Sequence, residues 1–180
     1  LVRTARQYTN LELSLSDGTR GSRQAHIQNI LCQLTGAEAA LVVNNNASAV
    51  LLGLSAIADK KEVIVSRGEA VEIGGGFRIP DVLKQSGAIL TEVGTTNRTY
   101  LADYGQAITE HSRALLKVHS SNFSISGFTH GTKIEELVEL GARHQVHVLH
   151  DIGSGCMLDT TQFGLAHEPT VQESIAAGTD

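Results

Sequence analysis

The chain has 180 residues, a length that suits one domain or a large piece of one. Hydrophobic residues make up 41% of it, enough to bury a substantial core, and the formal net charge of −5 argues against a strongly electrostatic nucleic-acid platform. Two cysteines are too few for a disulfide framework, and no apolar stretch approaches the roughly 20 residues of a membrane span, so we expect a cytoplasmic protein without membrane segments.

Helices and short strands alternate along most of the chain. Apolar residues at helical spacing predict a first helix over residues 24–34 and a second over 47–58. Short apolar runs predict strands over residues 40–43, 62–65, 88–93, 114–118 and 146–149. Further helices are predicted over residues 79–86, 103–110 and 132–143, with a last one after residue 170. The last two begin with capping-box patterns at residues 132–135 and 170–173.

This order of elements predicts an α/β fold, a three-layer αβα domain with a mainly parallel sheet. In such a sheet, right-handed crossovers place the loops that follow the strands at one edge, where ligands bind. We expect residues 1–39 to form a lead-in loop and helix, and residues 40–180 to form the domain. The only glycine run, residues 74–76, lies inside that domain.

Amide and hydroxyl side chains lie between the first predicted strand and the second predicted helix. This asparagine turn consists of Asn44, Asn45, Asn46, Ala47 and Ser48. A helix N-terminus offers unpaired N–H groups and a partial positive charge, which favour a phosphate group, and the polar side chains add donors. The alternative is that these residues only cap the helix.

Asp151 ends an apolar strand and is followed by Gly153 and Gly155. A carboxylate here can keep a pyridine nitrogen protonated, which lets a cofactor ring draw electrons from a substrate; the alternative is a cap on nearby backbone N–H groups. After the preceding strand, Asn122 can donate to a ring hydroxyl of that cofactor. His119 can stack on a ring or shuttle protons, although a purely structural histidine is the commoner outcome. We expect the asparagine turn, Asn122 and Asp151 to share one pocket.

Two pairs of charged residues are candidates for contacts with anionic substrates. Arg20 and Arg23 lie in a glycine-containing loop before the first helix, and guanidinium groups suit carboxylate or phosphate ligands. Arg67 and Glu69 follow a predicted strand, at the edge where ligands bind. The alternatives are a solvated basic loop for the first pair and a structural Arg–Glu ion pair for the second.

A zinc site is the last possibility, because His144, His147 and His150 lie not far from Cys156. On a strand, however, His147 and His150 are three residues apart and face opposite sides of the sheet. We therefore expect no metal site.

Taken together, these stretches resemble the bacterial L-seryl-tRNA(Sec) selenium transferases, a family of fold-type I enzymes that depend on pyridoxal phosphate (PLP). The most specific motifs are the triple asparagine and the run Glu92-Val93-Gly94-Thr95-Thr96-Asn97. The others are Arg20-Gly21-Ser22-Arg23, Leu34-Thr35-Gly36-Ala37-Glu38, Val65-Ser66-Arg67-Gly68-Glu69, Val71-Glu72-Ile73-Gly74-Gly75, Phe77-Arg78-Ile79-Pro80-Asp81, Lys117-Val118-His119, Ser121-Asn122-Phe123 and His167-Glu168-Pro169-Thr170. Small departures occur at Ala70, Gly76 and His150.

The resemblance implies the incomplete large domain of an enzyme with the aspartate aminotransferase-like fold. It implies that PLP is bound by Asn44, Asn45, Asn46, Ala47, Ser48, Asn122 and Asp151. It implies that the substrate side is served by Arg20, Arg23, Arg67, Glu69 and His119. In the family, the Schiff-base lysine lies in a Ser-Gly-Asp-Lys-Leu-Leu-Gly-Gly stretch beyond the position of Asp180. We therefore expect a fragment that contains no catalytic residue, lacks the tRNA-binding region and the small domain, and is inactive alone.

The resemblance also implies the activity of the complete enzyme. Seryl-tRNA(Sec) is converted to selenocysteinyl-tRNA(Sec) through a PLP-bound aminoacrylate, with selenium from selenophosphate, by a homo-oligomer built from dimers and expected to be a decamer. The alternatives are another PLP-dependent lyase or transferase of this fold, a nicotinamide-binding Rossmann domain, and a non-catalytic RNA-binding module. The Rossmann alternative lacks its Gly-x-Gly-x-x-Gly motif after the first strand. The RNA-binding alternative predicts a basic or aromatic surface, yet aromatic residues are 4% of the chain.

Overall fold

The computed structural model describes residues 1–73, 76–153 and 155–180. Two residues of the predicted glycine run, Gly74 and Gly75, lie outside the described residues, as does Ser154 of the stretch after Asp151. The chain forms two compact units, Leu1–Val42 and Val43–Asp180. No helix of the described residues has the length and apolar character needed to cross a membrane.

The first unit contains a short helix, α1 (Val2–Ala5), and the predicted first helix, α2 (Ala25–Thr35). Gly36 ends α2 in the left-handed region, with φ of 82°, and its N–H donates to the carbonyl of Cys32. The apolar face of α2 is partly open, since Ile30 and Leu34 are each 55% exposed. A unit of this size has too little apolar surface to cover such a face by itself.

The predicted strand over residues 40–43 is wrong. These residues belong to no strand, and Leu41 is 59% exposed. The side chain of Gln24 takes the place of a neighbouring strand, because its Oε1 accepts from the N–H of Val42 at 3.0 Å and its Nε2 donates to the Val42 carbonyl at 2.8 Å. An apolar run therefore satisfies its backbone through a side chain, which no strand pattern reveals.

The second unit is the α/β domain. Its elements in chain order are α3 (Asn46–Ile57), β1 (Glu62–Ser66), β2 (Glu72–Ile73), β3 (Phe77–Arg78), α4 (Ile79–Gln85), β4 (Ile89–Val93), α5 (Leu101–Ala107), β5 (Ser112–Val118), α6 (Ile134–His144), β6 (His147–Asp151) and α7 (Val171–Ala177). Four strands pair in the order β4-β1-β5-β6, and every pair is parallel. The predicted parallel sheet is confirmed. The short β2–β3 hairpin was not predicted, because two-residue strands leave no periodic pattern.

Helices cover both faces of the sheet, as the three-layer prediction requires. On one face, Leu54 of α3 and Leu83 of α4 pack with alternate strand residues such as Val65. On the other face, Tyr104 of α5 and Leu137 of α6 pack with the intervening strand residues. This alternation along each strand assigns every functional side chain to one of two faces.

Most element boundaries agree with the predictions within two residues, but one helix begins differently. The predicted capping box at residues 132–135 is wrong by one position: Glu136 Oε2, rather than Glu135, accepts from the N–H of Lys133. Thr132 does not cap the helix because its Oγ1 donates to the carbonyl of Thr99 instead. The second box is confirmed, since the side chain of Thr170 accepts from the Glu173 N–H and the Glu173 carboxylate accepts in return.

Two helical glycines give a matched test of the packing. A β-carbon on Gly141 of α6 would lie 2.5 Å from a methyl carbon of Val148 and 2.6 Å from the carbonyl oxygen of Val146. A β-carbon on Gly105 of α5 would meet only a side-chain carbon of Leu140, at 3.8 Å. We predict that Gly141→Ala lowers the free energy of unfolding by about 1–3 kcal/mol through overpacking.

Gly105→Ala should instead raise the free energy of unfolding by up to about 1 kcal/mol, because alanine lowers the entropy of the unfolded chain without a clash. Urea titrations of the chain at low concentration, followed by circular dichroism, measure both changes. Equal effects of the two substitutions would contradict the packing of α6 on β6.

Candidate functional site

The carboxylate of Asp151 lies at the carboxyl end of β6 and is 6% exposed. Its Oδ1 accepts two hydrogen bonds of 2.9 Å, one from Asn46 Nδ2 and one from the N–H of Gly153. Its Oδ2 is also buried but has no hydrogen-bond partner among the described residues. A buried carboxylate oxygen without a donor is costly, so the site is suited to a ligand that brings an N–H group.

The asparagine turn forms the N-terminus of α3. Asn45 is the N-cap residue, and its side-chain oxygen accepts from the N–H of Ser48 at 2.9 Å. Asn46 is the first helical residue and reaches Asp151 across 105 residues of sequence. The structure thus brings the turn and Asp151 to the same edge of the sheet, and the positive end of the α3 dipole lies beside the carboxylate.

The members of the asparagine turn contribute to two cavities. Asn46 and Asp151 line a cavity of about 220 Å³ between α3 and the ends of β5 and β6. Ala47 and Ser48 line another, of about 590 Å³, together with Leu51, Gly76, Arg78, Asp81, Val82, Lys84 and Gln85. None of the residues that line the cavity at Asp151 is a lysine.

Asn122 is exposed in the loop after β5 and makes no hydrogen bond within the part of the chain that the structure describes. The loop itself begins beside Asp151, because the N–H of His119 donates to the Asp151 carbonyl at 2.8 Å. It then passes close to Gly153, where a β-carbon would lie 2.8 Å from Ser121 Oγ. The loop is therefore anchored near Asp151, but Asn122 is not among the described residues that line the Asp151 cavity, so the single pocket expected for the turn, Asn122 and Asp151 is not formed by this chain's described residues.

His119 has a structural partner. Its Nε2 lies 2.8 Å from Glu168 Oε2, and its side chain is 24% exposed. This pairing matches the commoner outcome expected for a loop histidine.

Arg67 and Glu69 do not pair with each other, so the structural Arg–Glu pair considered from the sequence is wrong. Arg67 donates through Nη1 to the carbonyl of Gly94 at 2.5 Å, and Glu69 accepts from Lys117 Nζ at 2.8 Å and from the N–H of Val118 at 2.9 Å. The two residues lie in a 3₁₀ turn, in which side chains two positions apart point in different directions. Sequence reasoning missed Lys117, which shows no helical or strand spacing to Glu69.

Arg20 and Arg23 share one carboxylate in the first unit. Arg20 Nη2 lies 3.0 Å from Glu12 Oε2, and Arg23 bonds to Glu12 Oε1. The hydrogen bond and charge of Arg23 lower the pKa of Glu12, and the hydrogen bond from Arg20 adds to this. The arginine side chains are 83% and 68% exposed, so both guanidinium groups remain open to further contacts.

The chain matches the family model described as "SelA: L-seryl-tRNA selenium transferase" over residues 1–180. The chain belongs to this family. It is 64% identical over 173 residues to the L-seryl-tRNA(Sec) selenium transferase of Geobacter metallireducens, a match that covers 96% of the chain and 37% of the relative. It is 57% identical over 180 residues to that of Carboxydothermus hydrogenoformans, covering 100% and 39%. The chain therefore spans less than two fifths of the length of these relatives.

Solved structures show the same fold. A structure of D-glucosaminate-6-phosphate ammonia-lyase has a TM-score of 0.70 at 18% identity and covers 99% of this chain and 46% of its own. A structure of S. venezuelae DesV with a ketimine intermediate has a TM-score of 0.52 at 24% identity and covers 76% and 35%. The chain thus has the fold of the large domain of fold-type I PLP enzymes, and neither the Rossmann alternative nor the RNA-binding module is favoured.

A second group of polar residues lies on the opposite face of the sheet from Asp151. His150 and Lys117 are neighbours in the β5–β6 register and line a cavity of about 540 Å³ with Glu69 and His119. Burial lowers the pKa of His150 to about 4, and the positive charges of Lys117 and His119 add to this shift. Its Nδ1 lies 2.8 Å from Ser174 Oγ. Within the described residues, no three histidine, cysteine or acidic side chains are placed to hold a metal ion.

The buried side chain of His150 predicts that the stability of the folded chain depends on pH. Because its pKa is about 4 in the folded chain and about 6.5 when unfolded, the unfolded state takes up a proton first. The stability gained by burying the neutral His150 ring is therefore fully present above pH 6.5. It is lost as the pH falls toward 4, because protonation then favours the unfolded chain. We expect His150→Asn, which keeps a polar atom near Ser174 without titrating, to flatten this part of the curve.

Urea unfolding at a series of pH values between 4 and 7 measures the effect. His111→Asn is the matched control, because the His111 side chain is 66% exposed. A slope that both substitutions leave unchanged would show that His150 is not kept neutral by burial.

Proposed function

We propose that this chain supplies the cofactor-binding edge of an L-seryl-tRNA(Sec) selenium transferase. The complete enzyme would convert seryl-tRNA(Sec) to selenocysteinyl-tRNA(Sec) with selenium from selenophosphate, as the names of the relatives suggest. The observation that carries the proposal is the buried Oδ2 of Asp151, which has no partner in the described chain and lies beside the N-terminus of α3.

The residues at this edge fit PLP. Asp151 Oδ2 would accept the N–H of the protonated pyridine ring, while Asn46 and the Gly153 N–H hold Oδ1 and keep the carboxylate oriented. When bound, PLP supplies an electron sink that acidifies the Cα–H of serine. A buried, charged partner for the ring nitrogen is what that chemistry requires of the protein.

The phosphate group of PLP would lie at the N-terminus of α3, near Ala47 and Ser48. Asn45 already uses its side-chain oxygen to cap the helix, so within this group it shapes the turn, and Asn44 is exposed beside it. Asn122 would donate to the ring hydroxyl. Since its side chain makes no hydrogen bond in the described chain, it is free to turn toward a ring at Asp151.

The substrate side is proposed to include Arg20, Arg23 and Arg67, which would hold anionic groups of the selenium donor or of the tRNA. An incoming anion would compete with Glu12 for the first two arginines. Glu69 and His119 take a supporting part in this proposal, because Glu69 holds the end of β5 through Lys117 and Val118.

The remaining expectations also belong to this proposal. Residues 1–39 form a lead-in and residues 40–180 form part of the PLP-binding domain. The Schiff-base lysine comes from a segment outside these 180 residues, and none of the five lysines lines the Asp151 cavity. The enzyme acts in the cytoplasm as a homo-oligomer built from dimers, with a decamer as the expected assembly.

A chimera tests the proposal. Residues 1–180 replace the matching segment of the Geobacter metallireducens transferase, and selenium transfer to seryl-tRNA(Sec) is measured. We expect the chimera to be active and its Asp151→Asn variant to lose about 100-fold or more in turnover, because the ring nitrogen loses its charged partner. The isolated chain should show no turnover, and borohydride reduction with PLP should label no single lysine stoichiometrically.

Asp59→Asn is the matched control in the chimera, since Asp59 is exposed and follows α3 at the other edge of the sheet. An Asp151→Asn variant as active as this control would contradict the proposal that Asp151 binds the pyridine nitrogen of PLP. Stoichiometric labelling of one lysine in the isolated chain, with turnover, would show that the catalytic lysine lies within residues 1–180.

The arginine loop gives a separate prediction. In the chimera, Arg20→Ala or Arg23→Ala should slow selenium transfer about 10-fold or more while the absorbance of bound PLP stays intact, because a charge-assisted contact to an anion is lost. Arg3→Ala, in the exposed α1, is the control. Loss of PLP absorbance in the Arg20 or Arg23 variant would assign these residues to cofactor binding or to structure instead.

A further inference from the structure

The carboxylate of Asp151 can turn about its Cβ–Cγ bond, so the orientation of its two oxygens depends on the groups that hold them. Oδ1 accepts two hydrogen bonds of 2.9 Å, whereas Oδ2 is buried and accepts none from the described residues. The two donors to Oδ1 therefore decide which oxygen is left for a ligand.

These two donors differ in what they fix. The N–H of Gly153 lies two residues further along the same loop, so its hydrogen bond is a local turn that moves with Asp151. Asn46 Nδ2 belongs to the first residue of α3, 105 residues away in the sequence. Of the two bonds, only the one from Asn46 fixes the carboxylate relative to the N-terminus of α3.

The position of Asn46 is itself fixed by packing and by capping. Leu54, which is fully buried at 0% exposure, packs α3 against the sheet. Asn45 caps the helix, because its side-chain oxygen accepts from the N–H of Ser48 and its carbonyl accepts from the N–H of Ala49 at 3.2 Å. Since Asn45 does the capping, the side chain of Asn46 is left to bind Asp151.

Asn46 also relates the carboxylate to the phosphate end of the proposed site. The N–H groups of Asn46 and Ala47 have no hydrogen-bond acceptor among the residues that the structure describes. Free N–H groups in the first turn of a helix are the donors that phosphate groups use. One residue thus offers its backbone to the phosphate end and its side chain to the carboxylate of Asp151.

The amide group suits this position because it donates a hydrogen bond without carrying a charge. A lysine or arginine here would neutralise Asp151 and compete with the N–H of a ligand, and a second carboxylate would repel it. Asn46 orients the carboxylate and leaves its negative charge for the ligand.

We infer that Asn46 is a positioning residue, whose side chain acts through Asp151 and presents Oδ2 to the ring nitrogen of PLP. Its side chain does not serve the phosphate group. This inference rests on the proposed function, because Asp151 must be the partner of the ring nitrogen.

A cofactor analogue separates this role from a structural one. In the chimera freed of PLP, Asn46→Ala should weaken the binding of PLP about 10-fold, because a hydrogen bond to a charged group is lost. The affinity for 1-deaza-PLP, in which a C–H group replaces the ring nitrogen, should change by less than about twofold, since the effect of Asn46 requires that nitrogen. Titrations followed by absorbance measure both affinities.

Two further variants serve as controls. Asn46→Asp keeps a residue that suits a helix N-terminus but replaces the donor with a second carboxylate, so it should weaken PLP binding by more than Asn46→Ala does. Asn29→Ala removes an exposed amide from α2 and should change neither affinity.

Three results would overturn the inference. Equal weakening of PLP and of 1-deaza-PLP binding by Asn46→Ala would show that Asn46 serves the phosphate group or the helix. Equal PLP affinities of Asn46→Ala and Asn29→Ala would show that Asp151 does not need the amide. Tighter PLP binding by Asn46→Asp than by Asn46→Ala would show that the helix terminus decides the affinity.

A separate comparison tests the proposed function. If the unmutated chimera binds PLP no better than 1-deaza-PLP, Asp151 does not bind the ring nitrogen, and both proposals are wrong whatever Asn46 does. If the chimera prefers PLP but transfers no selenium, the proposed activity is wrong, whereas the titrations still test Asn46.

Discussion

The hydrogen bond between Asn46 and Asp151 depends on the parallel arrangement of the sheet. In a parallel sheet every strand ends at the same edge, so that residues far apart in sequence meet there. Asn46 can reach Asp151 because α3 packs through Leu54 on the face of the sheet to which Asp151 points. The same edge receives the loops after β4 and β5, which carry Arg98, Phe128 and Asn122. The common direction of the strands thus brings the residues of the candidate cofactor site together.

Two adjacent residues of strand β6, His150 and Asp151, point to opposite faces of the sheet and have different surroundings there. Asp151 points to the α3 face, where one of its oxygens has no donor among the described residues, whereas His150 points to the α6 face, where it lies near Ser174 and the charge of Lys117. The single-residue alternation of a strand is sufficient for this separation. A shift of register by one residue would exchange the two side chains, so the packing of the sheet fixes which of them faces α3.

The sequence was sufficient for features that depend on local periodicity. The four central strands, α3 and the Thr170 capping box follow from apolar spacing and from side chains within a few residues of each other. Long-range partners were not predictable in this way. Gln24 satisfying Val42, Glu12 between two arginines, and Lys117 holding Glu69 all join residues whose spacing has no period. Thr132 failed as a cap for the same reason, because Thr99, 33 residues away, accepts its hydroxyl.

Net charge is an average, and binding depends on where the charges lie. A formal charge of −5 argues against nucleic-acid binding for the chain as a whole, yet the two loops at the carboxyl edge carry no acidic residue. The acidic residues nearest in sequence, Glu92, Asp103, Glu110 and Glu135, lie just outside these loops. The average composition of this chain therefore describes its core and its outer surface. It does not describe the carboxyl edge of the sheet, where the candidate site lies.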